Sequence, residues 1–469
     1  MQKTPFFSVF ILCLTLLTGM HSPAQPLRVS DNKRYLVRAD GTPFFYLGDT
    51  AWELFHRLNR EEAERYLKRR AEQGFTVIQA VVLAELDGLH APNPYGNTPL
   101  QNDDPTKPNE AYFEHVDWVV NKANEAGLHI GMLPTWGDKI FKNTWGRGPE
   151  IFTPENARTY GRYLGNRYKN ARNIIWVMGG DRNPRHDADV QIWRAMAEGV
   201  VEGVGGRDKA LMTYHPQPQE QGSSSTWFHN DAWLDFNMFQ NGHCRDVAAW
   251  DRITRDYNLT PTKPTMDGEP LYEDHPICFN AAENGFSLPY DVRRFAYLEL
   301  FAGAHGHTYG CHSIWQMWGP RHKGVNSPLR FWYESLDLPG ANHMTHVRNL
   351  MESRPMLVRV PDQALVGGEG ASTKSALQRV QATRGEDYAF VYSAGGLPFT
   401  VRMGRISGKQ VKAHWFDPRT GGAKAIGSLD NTGTQTFTPP SSGFNHDWVL
   451  VLDDAGKNYG LPGTGKAGR

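Results

Sequence analysis

The chain has 469 residues, more than one small domain needs and enough for a (β/α)8 barrel with an accessory module. Lys plus Arg and Asp plus Glu stand at 50 each, so neither net charge nor a basic block supplies the electrostatic footprint of a nucleic-acid binder. Aromatic residues make up 12%, with 14 Trp, a supply that serves either a packed core or a cleft that stacks sugar rings.

The N-terminus reads as a secretory signal. Lys3 precedes an almost wholly apolar run from Phe6 to Met20, and small residues in Ser22-Pro23-Ala24 place cleavage after Ala24. The run is short for a membrane span and no later segment qualifies, so a periplasmic or extracellular protein without a membrane span is expected. Cys13 lies inside the apolar run without the small-residue context of a lipoprotein anchor. The mature chain keeps Cys244, Cys278 and Cys311, an odd set that allows one disulfide and leaves at least one thiol unpaired.

Beyond the signal, Leu27 to Asp40 reads as a short hairpin ending at Asp40-Gly41. Strand and helix patterns then alternate. Phe44 to Leu47 runs to Gly48-Asp49, Phe75 to Leu83 is a second strand, and Leu128 to Leu133 is a third, reaching Trp136. Ile174 to Met178 is the fourth, Leu211 to Tyr214 the fifth, reaching His215, and Trp233 to Phe239 the sixth, reaching Gln240-Asn241. Thr265-Met266 is the seventh and His307 to Trp315 the eighth. Helices are expected over Glu61–Gly74, Tyr112–Gly127, Pro154–Tyr168, Val190–Gly203, Ala248–Tyr257 and Asp291–Phe301, the third with Thr153 as N-cap and Pro154 in its first position. This alternation predicts a (β/α)8 barrel over residues 25–354. The connection from Asp87 to Glu110, rich in Pro, Asn and Asp, reads as a functional loop.

Near Arg354-Pro355 the pattern changes to short alternating apolar runs, such as Ala389 to Tyr392 and Trp448 to Leu452, divided by Gly and Pro. A small all-β sandwich over 355–454 is predicted, followed by a Gly- and Lys-rich tail over 455–469 expected to be disordered.

Two apolar runs end in a carboxylate. Ile174-Ile175-Trp176-Val177-Met178 stops at Gly179-Gly180-Asp181, and Lys263 to Met266 leads through Asp267-Gly268 to Glu269-Pro270. Barrel catalysis sits at the C-terminal ends of strands, and the ends of strands four and seven face each other across the mouth. Two carboxyls placed there are the minimal equipment for cutting a glycosidic bond, one as general acid and one as ionised nucleophile. Each also reads as an N-cap of the following helix. Around the same rim fall Asp49 and Trp52 (strand one), Trp136 (three), His215 (five), Asn241 (six), and His307, Trp315 and Trp318 (eight), which together form the lining a carbohydrate cleft requires. Asp49 reads equally as a helix cap. The run from His305 to His312 invites a metal reading, but its His-x-His falls on the eighth strand rather than the first, so no metal is expected. No phosphate loop, dinucleotide fingerprint or Gly-x-Ser-x-Gly elbow is present, and no cofactor is expected.

Asp40-Gly41-Thr42-Pro43-Phe44-Phe45, Gly48-Asp49-Thr50-Ala51-Trp52, Gly179-Gly180-Asp181 and Gly268-Glu269-Pro270 together resemble the apiosidase-like barrel of glycoside hydrolase family 140. The C-terminal module resembles the small β-sandwich, labelled collagen-binding, that accompanies that barrel. The resemblance covers nearly all of the mature chain. It implies retaining hydrolysis of apiose-linked side chains of the pectic polysaccharide rhamnogalacturonan II, with Asp181 as acid/base and Glu269 as nucleophile. It implies an oligo- or polysaccharide substrate, and the sequence points to no protein partner. The alternatives are a carbohydrate-binding barrel without catalysis, a glycosidase for another plant polysaccharide, and a metal-dependent hydrolase built on the His305–His312 run.

Overall fold

A computed structural model of the protein describes residues 23–143, 145–218 and 222–465. The expected signal segment lies, up to residue 22, outside the described residues.

The barrel strands are β1 Tyr46–Thr50, β2 Val77–Leu83, β3 His129–Thr135, β4 Ile174–Gly179, β5 Met212–His215, β6 Asn237–Gln240, β7 Thr265–Glu269 and β8 Gly306–Tyr309. Six of them hydrogen-bond in the order β5-β4-β3-β2-β1-β8, all parallel, and β6 pairs with β7. Two seams close the curl. The Asp235 backbone N–H donates to the Met212 carbonyl at 2.9 Å, and that of His305 to the Thr265 carbonyl at 3.0 Å. The result is a TIM-like α/β barrel.

The major helices are α1 Arg60–Glu72, α2 Glu110–Glu125, α3 Pro154–Tyr168, α4 Asp187–Val204, α5 Ala249–Tyr257, α6 Pro289–Ala302 and α7 Pro339–Glu352. Their starts follow capping chemistry: Asn59 and Thr153 each accept from the backbone N–H three residues on, and Glu62 and Asn156 return the bond. Strand alternation sorts the core into two shells. Tyr46, Val77, Val81, Leu133, Ile175 and Val177 fill the barrel interior. Leu47, Ile78, Val82, Ile130, Trp176 and Met178 face outward and meet the helices.

Four elements differ from the sequence reading. Pro43–Phe44 is an antiparallel partner of Leu36–Val37, separate from β1. The eighth strand ends at Tyr309, and His312–Trp315 is a short helix. The 87–110 connection carries a small hairpin, Leu100–Gln101 with Asp104–Pro108. Helix α7 has no counterpart in the sequence reading.

The C-terminal module is an antiparallel sandwich. One sheet runs Val360–Pro361, Val380–Arg384, Tyr388–Ser393, Trp448–Asp454, Gln410–Phe416, Ala423–Asp430 in spatial order, and the other holds Val366–Gly367, Phe399–Arg402 and Thr434–Phe437. The larger sheet lies on α6. Tyr392 stacks on Tyr297 at 5.0 Å, Phe390 on Phe301 at 5.9 Å, and fully buried Arg293 pairs with Asp447 at 2.6 Å. Helix α6 is therefore buried on every face, its charged Asp291, Arg293, Arg294 and Glu299 included. The tail expected to be disordered from 455 is instead docked as far as it is described. The Tyr459 hydroxyl donates to Asp387, and Arg354, paired with Asp453, donates to the Gly460 carbonyl. Residues 466–469 lie outside the described residues.

Candidate active site

A pocket of about 710 Å³ opens at the C-terminal ends of the strands. Asp181 and Glu269 both line it, and their side chains are 14% and 7% exposed.

The Gly-Gly-Asp turn has a steric cause. Gly179, Gly180 and Asp181 all have positive φ, at 89°, 126° and 54°. A Cβ on Gly179 would stand 2.2 Å from the His215 carbonyl oxygen, and one on Gly180 would stand 2.9 Å from the Gly137 nitrogen. Only glycines let β4 leave its sheet that close to β5 and to the loop after β3. The turn presents Asp181 in a conformation few non-glycine residues adopt, as sites of chemistry often do. The Asp181 carboxylate accepts from the Trp145 indole N–H at 2.9 Å and from Arg182 at 3.2 Å, so it caps no helix.

Glu269 reaches the mouth through a bulge. Phe239 pairs with Asp267 and Gln240 with Glu269, so Gly268 is an extra residue on β7. Strict alternation would send both Asp267 and Glu269 to the helix side; the extra residue turns Glu269 inward. The Gln79 side chain donates to the Gly268 carbonyl at 2.9 Å, and the Glu269 N–H donates to Asp267 at 2.8 Å. His215 Nε2 lies 3.1 Å from one Glu269 oxygen and His243 Nε2 lies 3.4 Å from the other. The Asp181 backbone N–H donates to His215 Nδ1 at 3.3 Å, which puts the proton of the neutral ring on Nε2, facing Glu269. One imidazole thus joins the backbone of one carboxyl to the side chain of the other.

These surroundings drive the two carboxyls apart. Burial, then the charge of Glu269, push Asp181 up to about 6 against the opposing Arg182. Burial also favours the neutral form of Glu269, but the adjoining His215 and His243 imidazoles outweigh it and hold Glu269 at about 2. A proton-holding carboxyl beside an ionised one is the division of labour that glycosidic cleavage demands.

Trp52, Trp136 and Trp315 line the pocket as expected, all three largely buried, so they form its floor and wall. His215 is fully buried behind Glu269 rather than on the surface of the pocket. Four expected rim residues lie elsewhere. Asp49 faces the helix layer, where Arg70 pairs with it at 2.6 Å and Tyr66 donates to it. His307 likewise points outward, 2.8 Å from Glu299 of α6. Asn241 is buried between Asp267, at 2.6 Å, and Glu299, at 2.9 Å. Trp318 packs on Phe331 at 4.7 Å, away from the pocket lining.

The sequence reading missed Glu85, Trp145, His243, Tyr272, His275 and Phe279, all in the lining. Most lie on loops beyond strand ends, where no periodicity marks orientation; His243, two residues past Asn241, was the most reachable. A Cys244–Cys278 disulfide ties the loops after β6 and β7, which carry His243, His275 and Phe279, and Cys311 is a buried free thiol. His305 and His312 bond to the Thr265 and Asn326 carbonyls, apart from His307. Among the described residues no group of three or more His, Cys, Asp or Glu side chains converges as metal ligands do. Among them no helix is long and apolar enough to cross a membrane.

Comparison with known proteins agrees with this geometry. A solved structure titled "Glycoside hydrolase" is 36% identical, with 93% of this chain and 98% of that chain covered and a TM-score of 0.84. A glycoside hydrolase family 5 structure from Bacteroides vulgatus ATCC 8482 is 33% identical over 95% of this chain and 98% of its own, with a TM-score of 0.85. The protein is thus glycoside hydrolase-like. Residues 30–358 match the model of the "Apiosidase-like, catalytic domain", and the chain belongs to that family. Residues 360–453 match the "Putative collagen-binding domain of a collagenase". No match is found among curated protein sequences.

Proposed function

We propose that the protein is a secreted retaining glycoside hydrolase that cleaves apiose-containing side-chain linkages of rhamnogalacturonan II. Asp181 is its acid/base and Glu269 its nucleophile. The observation that carries this is the pair of carboxyls at the ends of β4 and β7 in one pocket, Asp181 held by Trp145 and Arg182 and Glu269 flanked by two imidazoles, surroundings that raise the first and lower the second. Asp181 donates its proton to the glycosidic oxygen as Glu269 attacks the anomeric carbon. Asp181, now ionised, then takes a proton from the water that releases the sugar from Glu269. The His215 and His243 donors keep Glu269 ionised and aimed. The apiose assignment rests on the family resemblance, and secretion on the apolar N-terminal run together with a disulfide of the kind oxidising compartments keep.

The test is sugar release from rhamnogalacturonan II fragments by wild type and by Glu269→Ala. Apiose-terminated release by wild type alone is expected; equal release by the variant contradicts the assignment of Glu269. A second reading, a glycosidase for another plant polysaccharide, is selected by release from a different glycan alone.

A further inference from the structure

Trp145 is unusual among the large apolar side chains of this protein. It is 45% exposed, lines the pocket, and yet spends its indole N–H on Asp181 at 2.9 Å. Exposure does not leave it loose. The Arg182 guanidinium lies 4.8 Å from its ring and is itself pinned by the Phe141 and Lys142 carbonyls at 2.8 and 2.9 Å. The turn after it is held by Asp138, which accepts from the Arg147 and Gly148 N–H groups at 3.0 and 2.9 Å. At Gly146 any side chain would collide with the Lys142 carbonyl oxygen, 2.0 Å from its Cβ. The loop thus fixes an aromatic surface in the pocket with the ring's polar edge already satisfied. Apolar area of that kind is what the C–H face of a sugar ring packs on.

The same contact orients the acid. Asp181 Oδ2 accepts from both Trp145 and Arg182, so the proton of the neutral acid sits on Oδ1, free to reach a substrate oxygen. In the two-carboxylate mechanism the nucleophile attacks from the face opposite the acid, so the unit that departs with that oxygen leaves on the side of Asp181, where Trp145 lines the pocket. Given the reading of Asp181 as the acid, we propose that Trp145 is the leaving-group platform of this enzyme. The sugar expelled at Asp181 stacks on its indole while the indole N–H holds the acid in aim. The Oδ1 proton moves to the glycosidic oxygen as the carbon–oxygen bond breaks, and its electron pair leaves with the stacked sugar.

Two measurements test this. Around Asp181 stand Glu269 from β7, His215 from β5, Glu85 beyond β2, and Arg182 and Trp145. The first measurement is intrinsic fluorescence of the free protein against pH, which needs no substrate. Wild type is expected to show a transition that is absent in both Trp145→Phe and Asp181→Asn; persistence in Trp145→Phe overturns the contact. The second is kcat/KM on an apiose-terminated oligosaccharide and on the 4-nitrophenyl glycoside of the same glycone, whose leaving group needs neither stacking nor strong acid assistance. Trp145→Ala is expected to lose about tenfold or more on the oligosaccharide and under threefold on the nitrophenyl substrate, while Trp145→Phe keeps most oligosaccharide binding. Equal losses on both substrates overturn the platform. If wild type cleaves neither substrate, the proposed substrate fails, and the fluorescence result still decides the Trp145–Asp181 contact.

Discussion

Replacing His243 by Phe isolates one of the two donors that hold Glu269 ionised. The ring packs on His275 at 4.1 Å and on Tyr272 at 4.6 Å, and its Nδ1 is buried without a partner, so Phe keeps the packing and abandons no satisfied group. What is lost is the Nε2 contact to Glu269 at 3.4 Å. A hydrogen bond to a charged group is worth about 1.5–3 kcal/mol, and one pKa unit is about 1.4 kcal/mol. Because the lost donor favours the ionised form, removing it raises Glu269. The acid limb of kcat/KM is expected to climb ~1–2 pH units from about 2, with the alkaline limb nearly unmoved. The assay is kcat/KM from pH 2 upward on the hydrolysed oligosaccharide. An acid limb unchanged in His243→Phe, with turnover intact, refutes the claim that His243 tunes Glu269.

Three further outcomes follow. Asp181 must hold its proton to act as acid, so wild-type kcat/KM is expected to fall on an alkaline limb near 6, while a plateau to pH 8 rejects Asp181 as the acid. Gly180→Ala puts a Cβ 2.9 Å from the Gly137 nitrogen at a φ of 126°; a stability loss of about 1–3 kcal/mol in urea unfolding is expected, and a loss under ~0.5 kcal/mol contradicts the steric account. Burial raises Glu299 of α6 from 4.5 to about 8, so its protonation stabilises the fold most below 4.5, and that contribution drains away as pH rises to about 8. Glu299→Gln cannot lose a proton there, so its melting temperature is expected to decline less than wild type across that window; parallel declines count against a protonated Glu299.

Much of this was legible because barrel strands buried on both faces are continuous apolar runs. β2, β3 and β4 announce themselves, and Gly179-Gly180-Asp181 marks the end of a run where catalysis sits. The short polar strands β6 and β8 carry no such run, and nothing in the sequence separates the eighth strand from the helical turn that begins at His312. Two of the misplaced site residues share one cause. Asp49 lies next to the end of β1 and His307 near the start of β8, and alternation turns both to the helices, where Arg70 and Glu299 meet them. Strand position alone does not distinguish an acid aimed into the mouth from one a residue out of phase. For Glu269 the deciding feature is the bulge at Gly268, a property of pairing with β6 that one strand's sequence does not display. The loop residues Trp145, His243 and Phe279 owe their places to tertiary pins, among them Asp138 and the Cys244–Cys278 bridge.

Azide rescue on a 2,4-dinitrophenyl glycoside separates the roles of Asp181 and Glu269. With so good a leaving group, Asp181→Ala still forms the glycosyl-enzyme on Glu269, and azide then displaces it; the account predicts a glycosyl azide with the configuration of the substrate. In Glu269→Ala, azide takes the place of the missing carboxylate, and a glycosyl azide of inverted configuration is predicted. Inverted product from Asp181→Ala, or retained product from Glu269→Ala, would contradict the assignment.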